Sequence, residues 1–396
     1  MKKAKSILIT LTLLLVLVLP TCLVGCGGNN NKTDNIPEGH KAVIDITGNK
    51  VIVPNEVTKI ASVGSGALRM LTYAGVQDKL VGIESKETVA DKDLIKKPYA
   101  YVNREAFREL ANQDKIFGTG SFDPATNIEA LVKLQPQVVF ASAFMADKNM
   151  QKLDKMSKDF GIPVVKIKID TEITKPFARQ QIRDSFRIIG EVFEGDVKVR
   201  CDAVVKKIDD TFADLDNRTK GVANANVYVG AVSLKGKHGL NYTYNNFPCL
   251  EAINTKNVIP TKYLGDKAGF EMSFEELIKL NPDVIFMDIS NRDEIIKNLP
   301  QKDTTVGEGL VFDEINAIKN NKVYTIISYN YYSTNIEYAF ANAYYMGKQL
   351  YPEKFADINI EDKINELTEF FDGVKLYDTM KNFGLEFKQV EDIYAI

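Results

Sequence analysis

Tryptophan is absent from the 396 residues, and histidine occurs only twice, at His40 and His238. Two histidines nearly exclude a multi-histidine metal site and argue against a Ser-His-Asp enzyme. An excess of positive charge is lacking too. The formal net charge is −3, and setting aside Lys2, Lys3 and Lys5 leaves 47 basic residues against 53 acidic. Nucleic-acid binders neutralise phosphates with clustered Lys and Arg, so this balance speaks against one. Neither a G-x-x-x-x-G-K-[ST] phosphate loop nor a G-x-S-x-G nucleophile elbow occurs. Gly64-Ser65-Gly66 follows a predicted strand, but Arg69 stands where a dinucleotide fingerprint needs its third glycine. After the leader no segment is long and apolar enough to span a bilayer.

What is present is ordinary globular material, 45% apolar and 26% charged, with length for two domains at roughly 100–200 residues each. The first 25 residues read as a secretory signal. Lys2, Lys3 and Lys5 form the charged start, Ile7 to Leu19 is almost continuously apolar, and Leu23-Val24-Gly25 precedes Cys26. That tetrapeptide resembles the bacterial lipobox, which implies a lipid on Cys26 and a membrane-anchored mature chain. Residues 26–41 are small and polar and read as a flexible tether. After cleavage Cys201, on a predicted helix, and Cys249, far along the chain, remain; they could pair in an oxidising compartment, and a free pair is the preferred reading.

From residue 42 strands and helices alternate, the pattern of an α/β domain with a mainly parallel sheet. The alternation breaks at Pro176, where apolar residues recur at helical spacing at Ile182, Phe186, Ile189 and Val192. A second helical stretch follows from Asp196 to Leu215, and alternation restarts after Gly221. The expected layout is therefore an N-terminal α/β lobe over 42–175, a helical junction over 176–220 and a C-terminal α/β lobe over 221–396. Residues 128–140 (IEALVKLQPQVVF) and 274–286 (FEELIKLNPDVIF) share Glu, Leu, Lys, Leu, Pro, Val and Phe in register. The lobes thus read as two copies of one plan, and a cleft between them is the natural ligand site.

Several segments are similar to a known family. Asp45, Thr47-Gly48-Asn49 and Val51-Ile52-Val53-Pro54 resemble an opening D-x-x-G-R-x-V-x-x-P, with Asn49 in place of arginine. Asn127 to Val139 resembles N-x-E-x-I-x-x-L-x-P-D-x-V, and Gly236-Lys237-His238-Gly239 with Asn246-Phe247-Pro248-Cys249 resembles a subgroup pattern. With the lipobox these resemble the substrate-binding lipoproteins of ABC importers for iron complexes, siderophores and cobalamin. The resemblance implies a class III periplasmic-binding-protein fold with a long interlobe helix and little hinge motion. It implies a monomer with no cofactor of its own. Its partners would be a permease dimer with ATPase subunits, the membrane through the lipid, and a small metal complex, a ferric chelate or a corrinoid. It further implies that Glu129 and Glu275, equivalent in the two copies, meet arginines of the permease.

Candidate ligand residues lie in loops at strand ends: Ser65, Arg69, Tyr101, Arg104, Phe122 and Phe144 in the first lobe, and His238, Tyr242, Tyr329 and Tyr331 in the second, with Tyr99, Tyr244 and Tyr332 beside them. Aromatic rings offer broad contact to a chelate, and arginines match an anionic one. Cobalamin and haem are alternative ligands. A secreted α/β hydrolase is the alternative of another class, since fold alone does not set chemistry.

Overall fold

The computed structural model describes residues 36–120, 125–234, 236–265 and 269–396. The leader, Cys26, tether residues 26–35 and Phe122 lie outside the described residues; the last two residues of the expected tether, His40 and Lys41, belong to the first strand. Residues 37–396 form one compact unit.

Two parallel three-stranded sheets organise that unit. In the first lobe Val138–Ser142 lies between Ile60–Val63 and Val164–Ile167; in the second, Val284–Asp288 lies between Val227–Gly230 and Val323–Ile326. Both middle strands are buried along their whole length. Helices cover both faces of such a sheet, which is why these strands read as continuous apolar runs.

The copies agree in local detail. Each middle strand follows a short helix, Ile128–Lys133 or Phe274–Leu280, capped by the preceding side chain: Asn127 accepts from Ala130 N and Ser273 from Glu276 N. Ser273 and Glu276 complete a capping box. Each helix leaves through a left-handed residue, Gln135 (φ 51°) or Asn281 (φ 46°), directly before Pro136 or Pro282. Each first strand also ends on a left-handed residue, Gly64 (φ 86°) or Ala231 (φ 54°), which turns the chain across the carboxyl edge of its sheet. Near the start of the chain His40–Ile44 and Lys50–Pro54 pair as the expected antiparallel hairpin.

The junction is two packed helices, Pro176–Phe193 and Gly195–Thr219. Pro176 suits the first turn, where its missing N–H costs nothing. From the second helix Arg200 donates to the carbonyls of Tyr73 in the first lobe and Phe370 near the C-terminus. Cys201 and Cys249 are both buried and free. Among the described residues no helix is long and apolar enough to cross a membrane.

The structure corrects one reading. The stretch around Tyr99, expected as a connection outside the core, forms the helices Asp91–Leu94, Pro98–Val102 and Arg104–Asn112. Tyr99 is fully buried, and its hydroxyl donates to the Glu87 carboxylate at 3.0 Å.

Candidate functional site

The carboxyl end of each sheet carries three loops. The first lobe contributes Gly64–Gly66, the turn after Ser142 that carries Phe144, and Lys168–Asp170. The second contributes Ala231–Ser233, the turn after Asp288, and Ser328–Thr334. Ligands collect at such edges because strand ends leave loops free to vary over a rigid floor.

The lobes touch directly here. Ser333 Oγ donates to Ile169 O at 3.2 Å and Thr334 Oγ1 to Asp170 O at 2.9 Å. Gly66 lies against this contact: a Cβ there would come within 2.5 Å of Ile169 and 2.9 Å of Ser333 Oγ. Tyr332 (φ 53°) and Ser333 (φ 80°) are consecutive non-glycine residues in the left-handed region. That backbone is strained, and strain of this kind persists where the surroundings over-determine it. Behind the loops a buried polar set continues the join. Arg69, 0% exposed, donates to the carbonyls of Tyr331 and Tyr332 at 2.9 Å each, and its guanidinium lies 4.8 Å from the Tyr99 ring centre. Tyr73 donates to Glu337, Tyr338 to Ile95 O at 2.8 Å, and Asn335 to Lys96 O at 2.8 Å.

On the second lobe a cavity of about 10 Å³, room for one water, is lined by Ser233, Tyr244, Phe247, Asp288 and residues 326–330. The Asp288 carboxylate accepts from Ser233 Oγ and Ser290 N at 2.9 Å each. Burial pushes its pKa up, with those hydrogen bonds opposing. A larger open hollow of about 540 Å³ lies between the N-terminal hairpin and the helix Asp147–Phe160, away from the strand ends. It presents no loop from the second lobe.

The sequence model of the periplasmic binding protein family matches residues 60–329, well over half of the chain. The chain belongs to this family. Its members are extracytoplasmic solute-binding proteins that work with ABC permease and ATPase partners. A periplasmic solute binding protein from Veillonella parvula is similar in structure, with 22% identity, a TM-score of 0.62 and coverage of 87% of this chain and 97% of that one. The molybdate periplasmic binding protein of a Haemophilus influenzae ABC transporter, solved with molybdate, is similar at 21% identity and a TM-score of 0.59, covering 85% and 98%. A Helicobacter pylori protein solved with Ni(II) is similar at 20% identity and a TM-score of 0.56, covering 84% and 96%. At these identities the likeness concerns the fold. No curated protein matches the sequence.

In this periplasmic binding protein the expected ligand residues fall into separate places. Ser65 is half-buried between two left-handed glycines at the first-lobe edge. Phe144 is half-buried at the same edge, with Lys168 Nζ 4.5 Å from its ring centre. Tyr329 is buried edge-on against Phe247 at 5.6 Å, and Tyr331 packs edge-on against Tyr332 at 5.0 Å. His238 stacks on Tyr242 at 3.6 Å, with its Nε2 2.8 Å from Leu234 O. Arg69 sits in the interlobe join with both terminal nitrogens engaged on carbonyls. Tyr101 and Arg104 pair with each other at 4.4 Å, and Tyr101 meets Phe383 edge-on, so this pair packs on the C-terminal segment. Sequence reading missed Glu84, Lys168, Phe177 and Asp288. Lys168 directly follows the strand Val164–Ile167, and Phe177 follows a helix-starting proline, but neither pattern alone marks a site.

Glu84 carries a pH prediction. Its carboxylate accepts from Gly64 N at 3.1 and 3.3 Å, and Gly120 packs so closely that a Cβ there would come within 2.8 Å of a carboxylate oxygen. Burial first, and Glu87 second, raise its pKa to about 8, against the opposing Gly64 N–H and Lys97. The folded state therefore holds this proton more tightly than the unfolded chain. The associated stability is complete below the ordinary glutamate range near pH 4.5 and is lost as pH rises through about 8, at up to roughly 1.4 kcal/mol per unit. Urea unfolding of wild type and Glu84→Gln between pH 5 and 8.5 should show the gap moving in favour of the variant as pH rises. A pH-independent gap would refute this.

Proposed function

We propose that the chain is the membrane-anchored, substrate-binding component of an ABC importer that captures an iron complex, a siderophore-like chelate, between its lobes. In this reading it catalyses no reaction, is held outside the membrane by lipid on Cys26, and docks through Glu129 and Glu275 on a permease dimer. The observation that carries the ligand reading is the set of aromatic side chains at the strand-end loops, where Phe144, Tyr331 and Tyr332 are half-buried and keep ring surface open. Aromatic rings offer broad contact to a whole chelate. The sequence motifs shared with iron-complex binders point the same way.

Mass spectrometry of gently purified protein should reveal a bound iron chelate. Tyrosine-fluorescence titration should show binding of a ferric chelate and no binding of a sugar or a peptide. Binding of cobalamin instead would move the ligand within the family, and binding only of a sugar or peptide would sink the iron reading. Conversion of the bound compound on prolonged incubation would sink the non-enzymatic one. Cys26→Ser should move the chain from the membrane fraction to the soluble fraction.

A further inference from the structure

At the first-lobe edge stands an aromatic side chain that the core does not use. Phe177, the second residue of the helix Pro176–Phe193, is 72% exposed, the highest value among the large apolar residues of the described chain. A single exposed phenylalanine needs no explanation. This one has company. The Lys168 ammonium lies 5.9 Å from its ring centre and 4.5 Å from that of Phe144, so one cation is shared by two rings.

The lysine is also held in place. Lys168 N donates to Ser185 Oγ at 2.8 Å, and Ser185 Oγ donates back to Lys168 O at 3.1 Å, from a fully buried serine. Asp170 lies 3.6 Å from the ammonium and takes part of its charge. Ile169 and Asp170, the next two residues, are those whose carbonyls accept from Ser333 and Thr334 of the second lobe. The cation therefore sits on a braced backbone at the interlobe edge, with the two rings beside it.

We propose that Phe144, Lys168 and Phe177 form a ligand platform that takes a flat π-face bearing an anionic oxygen. That chemistry belongs to an aryl-oxygen iron chelate and to haem. It is absent from an aliphatic hydroxamate chelate. The ring of Phe177 gives up its exposure to the ligand face, and the ammonium exchanges part of its contact with Asp170 for the ligand oxygen. The inference rests on the reading of the interlobe region as an iron-complex site and narrows it.

The test titrates wild type, Phe177→Ala and Lys168→Gln with a ferric tris-catecholate, haem and a ferric tris-hydroxamate, with thermal unfolding of each ligand-free protein alongside. Wild type should prefer the catecholate or haem, and whichever binds names the source of the π-face. Each variant should bind it about 10-fold more weakly, the loss of one aromatic or cation–π contact. Hydroxamate binding, where measurable, should not change, and the ligand-free melting temperature should stay within a degree or two, because the Phe177 ring is exposed and glutamine keeps most of the apolar stem of the largely buried Lys168. Variants that bind the π-ligand as wild type does overturn the platform, as does a wild type that prefers the hydroxamate. A loss shared equally by all ligands, or matched by a fall in melting temperature, overturns it too. Wild type that binds none of the three defeats the iron-complex reading itself.

Discussion

The double substitution Glu129→Ala with Glu275→Ala should leave ligand affinity intact and abolish delivery to the transporter. Both residues stand second in the short capped helices that precede the middle strands. The duplication therefore sets one carboxylate on each lobe at the same structural position. Two such carboxylates suit a permease dimer of approximate two-fold symmetry. Their surroundings differ. Glu129 is exposed, whereas Glu275 is half-buried, pairs with Lys279 at 2.5 Å and has Gly307 close against its carboxylate. On the proposed docking, Glu275 exchanges its partner Lys279 for an external one, so Glu129→Ala alone should impair uptake more than Glu275→Ala alone. Each exposed ion pair contributes roughly 0–1 kcal/mol, so the single changes should be partial. Carboxylates in a first helical turn also favour the helix dipole. If that is their whole role, the double variant loses a little stability and stimulates transporter ATPase as wild type does, and docking is refuted. Lost ligand binding would place the two residues in the cleft or the fold instead.

Arg69→Ala should be the most damaging single change to the interlobe join. Its two terminal nitrogens serve the Tyr331 and Tyr332 carbonyls from a fully buried position. Truncation removes the side-chain donor from both carbonyls, which lie in a half-buried turn. It also removes the positive charge that offsets burial of Glu337 and Asp372, whose pKa values burial already raises, Glu337 to about 6. Breaking a buried charged network by removing one member costs about 3–5 kcal/mol. Arg69→Lys keeps the charge but presents a point donor to a site built for a fork, and should recover only part of the loss. Urea midpoints at pH 7 read both. A cost below about 1 kcal/mol for the alanine variant would show that other contacts hold the lobes. Because the strained Tyr332–Ser333 turn hangs on this arginine, ligand affinity should fall with stability. In Phe177→Ala the two should separate.

Much of the fold is legible in the sequence because it is local. The helix Phe274–Leu280 and the strand Val284–Asp288 follow from an apolar period, a capping box and a proline placed after the helix. The offset that repeats this unit at Ile128–Lys133 announces two lobes, and Pro176 announces the helical junction. The stretch from 91 to 112 escaped because its helices run four, five and nine residues, too short to establish a period. The site is less legible for a different reason. Sequence places Arg69 just after a strand, where an anion-binding side chain would also stand; only the packing of the second lobe supplies the two carbonyls, more than 260 residues away, that claim it. Likewise Lys168 and Phe177 are unremarkable in sequence, and become one surface with Phe144 when the strand ends and the junction helix meet. The pattern of apolar residues and caps, which acts over a few residues, determined the elements, their duplication and the family. Which charged side chains brace the lobes and which stay at the strand-end surface depends on burial and partners far along the chain, and the tertiary structure alone decided it.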